Sequence, residues 1–325
     1  MSIVGIDIGG SKTIVGVADE NGNLINKKRL ATLVNLGREQ VIDSVKAAVW
    51  GLLSDYHMSS EDIDGIGVCC GGPVDAERGL VLTCPNMPGW DNVALAKIFS
   101  EEFNAPAWID NDATVATLAE LMFGAGMNVN NFVYFTVSAG IGGGIVIDRK
   151  LYRGSNGNAG EFGHQVVLPD GPPCTCGDRG CLESLSSGSS IAKRARRECF
   201  DWPSTVLLHW VDGNPMLITS EHVSRGAAEE DEFSSYIWNQ AMNYLGIGVA
   251  NVVNILNPEL VVIGGGVTRA GELLFEPVRR VIEKRALSGL SKIVGVVPAA
   301  LGDDVAVVGA ITLAMERLGL VGEGL

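Results

Sequence analysis

The chain has 325 residues, of which 46% are hydrophobic, and a formal net charge of −14 at pH 7. The length allows two domains with separate cores, and the composition is that of an ordinary globular protein. The acidity argues against nucleic-acid binding, because a phosphate-binding surface would have to be strongly local.

Signals for membrane insertion or export are missing from the sequence. No apolar run reaches the roughly 18 residues that a membrane-spanning helix needs. The start, MSIVGIDIGG, lacks the basic residues and the cleavage pattern of a signal peptide. We therefore expect a cytoplasmic protein without membrane contact, where structural disulfides are rare. Seven cysteines, an odd number, also argue against a disulfide framework.

Two glycine-rich stretches predict β-hairpins. In residues 3–22, apolar and β-branched residues flank Gly9 and Gly10. No helical periodicity follows these glycines, so the stretch is neither a dinucleotide-binding fingerprint nor a Walker loop. Residues 131–152 repeat the pattern. The repetition predicts a duplicated architecture whose halves face each other across a cleft.

Helical and strand patterns alternate along the rest of the chain, which indicates an α/β fold. Strands are predicted at the start of IDGIGVCCGGPVD and of ELVVIGGG, and a strand passes into a helix near Asp112. One face of the helix predicted at residues 38–53 is apolar and consists of Val41, Ile42, Val45, Val49, Leu52 and Leu53. Further helices are predicted at residues 183–200, over much of 226–256, after Gly264–Gly266 and at 304–318.

Three cysteines lie within CTCGDRGC, residues 174–181, close after a histidine. Cys174, Cys176 and Cys181 with His164 match a closed, tetrahedral structural zinc site, which leaves no open position for catalysis by the metal. The alternative is a group of reduced surface thiols. The remaining cysteines are scattered and are predicted to be small buried hydrophobes: Cys69, Cys70, Cys84 and Cys199.

Three glycine clusters favour phosphate binding when they are taken together. Backbone N–H groups and hydroxyls at a turn suit phosphate oxygens, and glycine lets a nucleotide approach the backbone closely. Each cluster alone is also explained as a simple turn. The residues concerned are Gly9, Gly10, Ser11, Lys12, Thr13, Gly140, Gly142, Gly143, Gly144, Gly264, Gly265 and Gly266.

The segment IDNDA has two interpretations that the sequence leaves open. Asp112 precedes a predicted helix and is suited to cap it. An ionised aspartate at the mouth of a cleft can also accept a proton from a substrate hydroxyl, and Asn111 beside it can bind neighbouring hydroxyls.

The motifs DIGGSKT, IDNDA, SAGIGGGI, EFGH and CTCGDRGCLE occur in this order over nearly the whole chain. Together they resemble the ROK family (repressors, open reading frames and sugar kinases). The resemblance implies a two-domain actin-like ATPase fold of the ribonuclease H-like type, with an interdomain cleft and a structural zinc loop. It implies a small N-terminal α/β domain (residues 1–115 and 303–321) and a large α/β domain (116–302) with the zinc loop at 164–181.

The same resemblance implies ATP- and magnesium-dependent phosphorylation of a hexose in the cleft, with glucose as the favoured sugar. By motif match, Asp112 is the catalytic base, and Asp7 lies near the metal and the phosphates. Sugar hydroxyls are held by Asn86, Asn111, Asp112, Glu161, His164 and Glu183. ATP is surrounded by Gly9, Gly10, Ser11, Lys12, Thr13, Ser138, Gly140, Gly142, Gly143, Gly264, Gly265 and Gly266.

Two segments depart from the family pattern. Ala139 stands where relatives commonly carry threonine, so that Ser138 has to supply the hydroxyl to phosphate. Cys69–Gly71 replaces the Gly-Ala-Pro of many relatives, which predicts a different wall of the sugar pocket.

Other functions remain open. A kinase for N-acetylmannosamine or N-acetylglucosamine would use the same residues. A sugar-responsive repressor would need a DNA-binding domain before the DIGG strand, for which the sequence before Ile3 leaves no room. The net negative charge disfavours zinc-dependent nucleic-acid binding, and so does a cysteine loop in which Arg179 is the one basic residue. The acidity of the chain also disfavours polyphosphate as the phosphoryl donor. The resemblance favours a homodimer or homotetramer.

Overall fold

The computed structural model describes residues 2–84 and 87–321 of the chain. The fold is mixed α/β, and the chain divides into two compact units. Unit 1 consists of Met1–Asn128, Gly144–Ala159 and Ala300–Leu325, and unit 2 consists of Val129–Gly143 and Gly160–Ala299. The domain limits inferred from the sequence stay a prediction.

Strands and helices alternate, as the sequence predicted. The strands are β1 (Ser2–Ile8), β2 (Lys12–Ala18), β3 (Leu24–Ala31), β4 (Ile63–Cys70), β5 (Val74–Asp75), β6 (Leu80–Val81), β7 (Ala107–Asn111), β8 (Phe132–Val137), β9 (Ile141–Ile147), β10 (Lys150–Leu151), β11 (Leu260–Gly264) and β12 (Gly295–Pro298). The α-helices are α1 (Arg38–Asp55), α2 (Leu95–Phe103), α3 (Asp112–Phe123), α4 (Leu182–Ser186), α5 (Gly188–Glu198), α6 (Val206–Trp210), α7 (Ser220–Ala228), α8 (Glu232–Leu256), α9 (Glu272–Arg285), α10 (Ser288–Ser291) and α11 (Val305–Arg317).

Unit 1 is built on a five-stranded sheet with the strand order β3-β2-β1-β4-β7. β1 and β2 form the predicted antiparallel hairpin, while β4 and β7 run parallel to β1. All six apolar residues predicted for one face of α1 are buried. Helix α11 packs against β1, β4 and α3. The register aligns Asp7, Cys69 and Asp110 on the three parallel strands, which brings polar groups together at one level of the sheet.

Unit 2 contains a sheet in which β11 runs parallel to both β8 and β12, with β9 beside β8. β9 continues into unit 1, where its last residues pair with β10. The helix predicted at residues 183–200 is two helices, α4 and α5. Ser187 separates them, because its hydroxyl accepts the N–H of Ser190 at 3.2 Å and caps α5. The sequence therefore located the helical region correctly and missed the break.

Strand β3 was not predicted, because it is largely exposed and rich in charged residues, so that it carries little apolar periodicity. In the part of the chain that the structure describes, no helix is long and apolar enough to cross a membrane.

Candidate active site

Asp112 is the first residue of α3, directly after β7 ends at Asn111. The oxygen of the Asn111 side chain accepts the N–H groups of Ala113 at 2.9 Å and Thr114 at 3.4 Å. The Asn111 amide group donates to the carbonyl of Gly72 at 2.9 Å. Asn111, and not Asp112, is therefore the N-cap of α3, which removes the capping interpretation of Asp112.

The carboxylate of Asp112 has the properties of a proton acceptor. One oxygen, Oδ1, accepts the N–H of Ala113 at 2.9 Å. The other, Oδ2, faces Gly71, where an added Cβ would lie 3.5 Å away. Burial raises the pKa of Asp112 above its ordinary value and outweighs this hydrogen bond, which lowers it. A carboxylate with a raised pKa binds a proton more readily, as a general base requires.

A second carboxylate, Asp7 of β1, is buried in the same unit. Burial and the charge of Asp112 raise the pKa of Asp7 to about 6, against the opposing effects of Cys69 and Lys12. The thiol of Cys69 donates to Asp7 Oδ1 at 3.5 Å. Burial raises the pKa of the Cys69 thiol well above its ordinary value, so the thiol keeps its proton and remains a donor. Asp7 therefore lies within the electrostatic influence of Asp112, and Lys12 offsets part of the effect.

A further acidic residue of the IDNDA segment, Asp110, is held by an arginine. Its buried carboxylate forms an ion pair with Arg153, whose guanidinium also contacts Glu316 of α11 at 3.3 Å. The Asp110 carboxylate therefore has a partner within unit 1. Arg153 had not been singled out in the sequence, because it lies 43 residues from its partner.

The glycine turn between β1 and β2 leaves some of the predicted phosphate ligands at the surface. The N–H of Gly9 donates to the carbonyl of Lys12 at 3.0 Å and closes the turn. Thr13 is fully buried, and its hydroxyl is bonded to that of Thr32 at 2.8 Å. The Thr13 hydroxyl therefore forms a hydrogen bond in the interior of unit 1, whereas Gly10, Ser11 and Lys12 are accessible to solvent.

In unit 2, the four predicted metal ligands come together. The donor atoms of His164, Cys174, Cys176 and Cys181 all lie within 4.8 Å of one another. Cys176 Sγ lies 3.7 Å from Cys181 Sγ, and Cys174 Sγ lies 3.6 Å from His164 Nδ1. In a zinc tetrahedron with ordinary bond lengths, two sulfurs are about 3.8 Å apart and a sulfur and a nitrogen about 3.6 Å. These two distances match a tetrahedral zinc site, and the four residues are therefore suited to hold a zinc ion.

The shape of the zinc loop depends on its glycines. Gly177 and Gly180 adopt φ angles of 97° and 72°, in the left-handed region that favours glycine. A Cβ on Gly180 would also overlap the carbonyl of Leu168. These conformations turn the chain tightly enough to direct three sulfurs at one point.

His164 and Glu161 lie side by side at the start of this segment. His164 Nδ1 faces the thiol cluster, and His164 Nε2 lies 3.8 Å from Glu161 Oε2, too far for a direct hydrogen bond. Both side chains are partly exposed. The two side chains are therefore neighbours, and each is partly accessible to solvent.

Glu183 connects the zinc loop to the turn of the second hairpin. Its Oε2 accepts the N–H of Ile141 at 2.9 Å, and its Oε1 lies 3.5 Å from the hydroxyl of Thr175. A Cβ on Gly140 would lie 2.5 Å from Glu183 Oε2, so that a larger residue there would displace the Glu183 carboxylate. The sequence predicted a sugar contact for Glu183 and missed its contact with the phosphate loop.

The second and third glycine clusters lie together in unit 2. Gly265, with a φ of 90°, packs so closely on the backbone of Val137 that a Cβ would overlap it. Gly266 lies next to the hydroxyl of Ser138, whose carbonyl accepts the N–H of Gly188 at 2.8 Å. The two glycine clusters are therefore adjacent in unit 2.

Four cysteines, one asparagine and two glycines remain among the residues named from the sequence. The four scattered cysteines are buried, as predicted. Asn86 lies outside the described residues. Gly142 is part of β9, and Gly143 packs tightly against Phe162.

Comparison with known proteins identifies the family. The ROK family model matches residues 3–317, and the chain therefore belongs to the ROK family. The glucokinase of Thermotoga maritima is 34% identical over 319 residues, which cover 98% of this chain and 99% of the relative. A xylose repressor of Caldicellulosiruptor bescii is 32% identical, over 88% of this chain and 71% of its own length.

A solved structure supports the same assignment. The ROK family glucokinase from Streptomyces griseus, in complex with glucose and AMPPNP, is 33% identical. The similarity covers 97% of this chain and all of that chain, with a TM-score of 0.84. The predicted α/β actin-like ATPase fold is thereby confirmed.

Proposed function

We propose that this protein is an ATP-dependent sugar kinase, specifically a glucokinase that converts glucose and ATP to glucose 6-phosphate and ADP. The observation that carries the proposal is the carboxylate of Asp112, whose pKa is raised by burial and which is not needed as a helix cap. A sugar-binding regulator has no use for a base with these properties. The similarity to glucokinases over the full length of the chain supports glucose as the substrate.

Asp112 acts as the general base in this mechanism. The sugar hydroxyl attacks the γ-phosphorus of ATP, the bond from that phosphorus to the ADP oxygen breaks, and Asp112 takes the hydroxyl proton. Phosphoryl transfer depends mainly on positioning and on charge stabilisation. Asn111 and Asn86 are proposed to hold neighbouring hydroxyls. The second N–H of the Asn111 amide suits this role, because one N–H already bonds Gly72.

The sugar is further held by Glu161, His164 and Glu183. We propose a structural zinc ion on His164 Nδ1 and the three thiolates, which the spacing of the donor atoms supports. With Nδ1 bound to the metal, His164 Nε2 carries the ring proton and donates it to a sugar oxygen. Glu161 and Glu183 accept hydrogen bonds from hydroxyls.

ATP is proposed to bind with Mg²⁺ at the glycine turns, where Ser11, Lys12 and Ser138 supply polar groups. Asp7 would hold the cation. The raised pKa of Asp7 supports this, because burial and the charge of Asp112 disfavour its ionised form and a divalent cation would favour it. Bound Mg²⁺ supplies charge neutralisation on the phosphates. Reduced thiols and the need for ATP favour the cytoplasm, and the family resemblance favours a homodimer or homotetramer.

Coupled measurement of ADP release across glucose, mannose, N-acetylglucosamine and N-acetylmannosamine tests the substrate. Glucose should give the highest kcat/KM with ATP as donor. If an acetamido sugar is preferred, the function is that of the corresponding N-acetylhexosamine kinase and not that of a glucokinase. Sugar binding without phosphorylation of any hexose would contradict the kinase assignment.

Substitution Asp112→Asn tests the base. Turnover should fall by about 10²–10⁴-fold, the usual contribution of a general base. The melting temperature should not fall, because Asn111 still caps α3 and the substitution removes a buried charge. In the unaltered enzyme, turnover should fall as the pH drops through the raised pKa of Asp112, above the value of about 3.9 that is usual for aspartate. Asp43→Asn, at an exposed position of α1, is the matched control.

A further inference from the structure

Glu120 of α3 has an unusual environment for a carboxylate. Its side chain is fully buried, and it accepts three backbone N–H groups. Oε2 accepts Ala125 N at 2.8 Å and Ala300 N at 3.1 Å, and Oε1 accepts Leu301 N at 3.0 Å. Burying an acidic group is costly unless such donors compensate it. The three bonds show that this position is built around the carboxylate.

Unit 1 consists of three chain segments, and residues at or near the ends of these segments contact α3. Ala125 lies near the end of the first segment, Gly144 begins the second, and Ala300 begins the third. Glu120 binds the first and the third. Gly144 packs directly on Thr117 of the same helix, where a Cβ would overlap the threonine side chain. One helix therefore joins the ends of all three segments.

The same helix begins with Asp112. An α-helix rises 1.5 Å per residue, so Glu120 lies about 12 Å along the axis from Asp112. The start of α3 is held by the Asn111 cap and its bond to Gly72, and residues Ala113–Leu121 are all buried. A buried helix moves as a rigid body, because close packing leaves little room for bending. A displacement at Glu120 is therefore transmitted to Asp112.

We propose that Glu120 is a positioning residue for phosphoryl transfer, an inference that rests on the role of Asp112 proposed above. Its carboxylate locks the ends of the first and third segments of unit 1 onto α3, and α3 sets the location of the base. Glu120 itself contacts neither substrate in this proposal.

Glu120→Gln tests the lock with little change in size. A glutamine has one acceptor oxygen, which can keep the bonds to Ala125 and Ala300, and its NH₂ group then opposes the Leu301 N–H. A misplacement of about 1 Å can cost roughly 10²-fold in rate, so kcat should fall by at least about tenfold, with glucose KM changed by less than about threefold. Hydrogen exchange of the Leu301 amide should become faster, and exchange of the Ala125 amide should remain slow.

A matched control is Asp231→Asn in unit 2. The Asp231 carboxylate also accepts two backbone N–H groups, from Ser234 at 2.9 Å and Val206 at 3.1 Å, and a hydroxyl from Thr205 at 2.8 Å. This variant should lower the melting temperature and leave kcat unchanged, because Asp231 caps α8 of unit 2.

Glu120→Asp is the second variant. It keeps the charge but is one methylene shorter, and its kcat at 25 °C should lie between those of the unaltered enzyme and Glu120→Gln. If either folded variant has normal kcat and only a lower melting temperature, Glu120 is structural and the proposal fails. If the unaltered enzyme phosphorylates no hexose, the proposed function is overturned instead. Amide hydrogen exchange at Leu301 would still show whether Glu120 holds that segment on α3.

Discussion

At the scale of single residues, the main feature is a pair of acidic groups that oppose folding. Burial raises the pKa values of both Asp7 and Asp112, and the charge of Asp112 raises that of Asp7 further. Functional sites often keep such unfavourable groups because the chemistry needs them. The cost at Asp7 can be measured directly.

Asp7→Asn should stabilise the protein at neutral pH. With a folded pKa of about 6 and an ordinary unfolded value, the native state binds more protons between these two values, so ionisation destabilises it as the pH rises. Removing the charge should add up to about 3 kcal/mol at pH 7.5 and about half of that at pH 5. Urea unfolding without Mg²⁺ or ATP measures both values.

Asp43→Asn controls for the loss of one surface charge and should change stability by less than about 0.5 kcal/mol at either pH. Activity of Asp7→Asn should be severely reduced, because this residue is proposed to hold the cation. A variant that is less stable than the unaltered protein at pH 7.5 would contradict the electrostatic interpretation of Asp7.

At the scale of structural elements, the zinc loop and the second hairpin are linked by one side chain. The zinc ligands end at Cys181, and Glu183 follows in the first turn of α4. Glu183 contacts Thr175 within the loop and Ile141 in the hairpin. The loop therefore orients three proposed sugar contacts: Glu161, His164 and Glu183.

Removal of zinc should weaken sugar use before nucleotide binding. The protein should contain one zinc ion per chain, and chelation or Cys176→Ser should raise glucose KM or abolish turnover. ATP affinity should persist, because the Ile141 N–H can keep its bond to Glu183. Metal analysis and separate titrations of glucose and nucleotide measure these effects.

Cys199→Ala is the control for this experiment, because Cys199 is buried away from the cluster and bonds the carbonyl of Arg196. It should leave zinc content and glucose KM unchanged. A folded, zinc-free enzyme with normal glucose kinetics would show that the metal only stabilises a surface loop.

At the scale of the whole molecule, the net charge of −14 bears on whether the protein can bind DNA. The relatives include both glucokinases and xylose repressors. Binding to DNA depends strongly on neutralising phosphates with basic side chains. The overall charge of this chain therefore opposes nonspecific DNA binding.

Random duplex DNA should not be retarded by this protein in a native gel at about 50 mM salt, a condition that favours electrostatic binding. A basic protein of similar size serves as the positive control. Retardation that weakens with added salt would reveal a local basic surface. A function as a DNA-binding repressor would then again be a candidate.

The sequence by itself determined the features that depend on neighbouring residues. The hairpin β1–β2 follows from apolar runs around a glycine turn, and α1 follows from its apolar face. The cluster of His164 with three cysteines follows from the spacing of CTCGDRGC after His164. These signals are local, because turn geometry, helical periodicity and the spacing of ligands are all set within a few residues.

Only the tertiary structure decided which roles the acidic groups can take. The sequence did not decide whether Asp112 caps the helix or acts as a base. The hydrogen bonds of Asn111 show that Asn111 is the cap of α3. Arg153 pairs with Asp110 across 43 residues, and Glu120 binds Ala300 across 180 residues. Such contacts arise when separate elements pack together, and neither periodicity nor motif spacing encodes them, because burial and partner distance are properties of the folded chain.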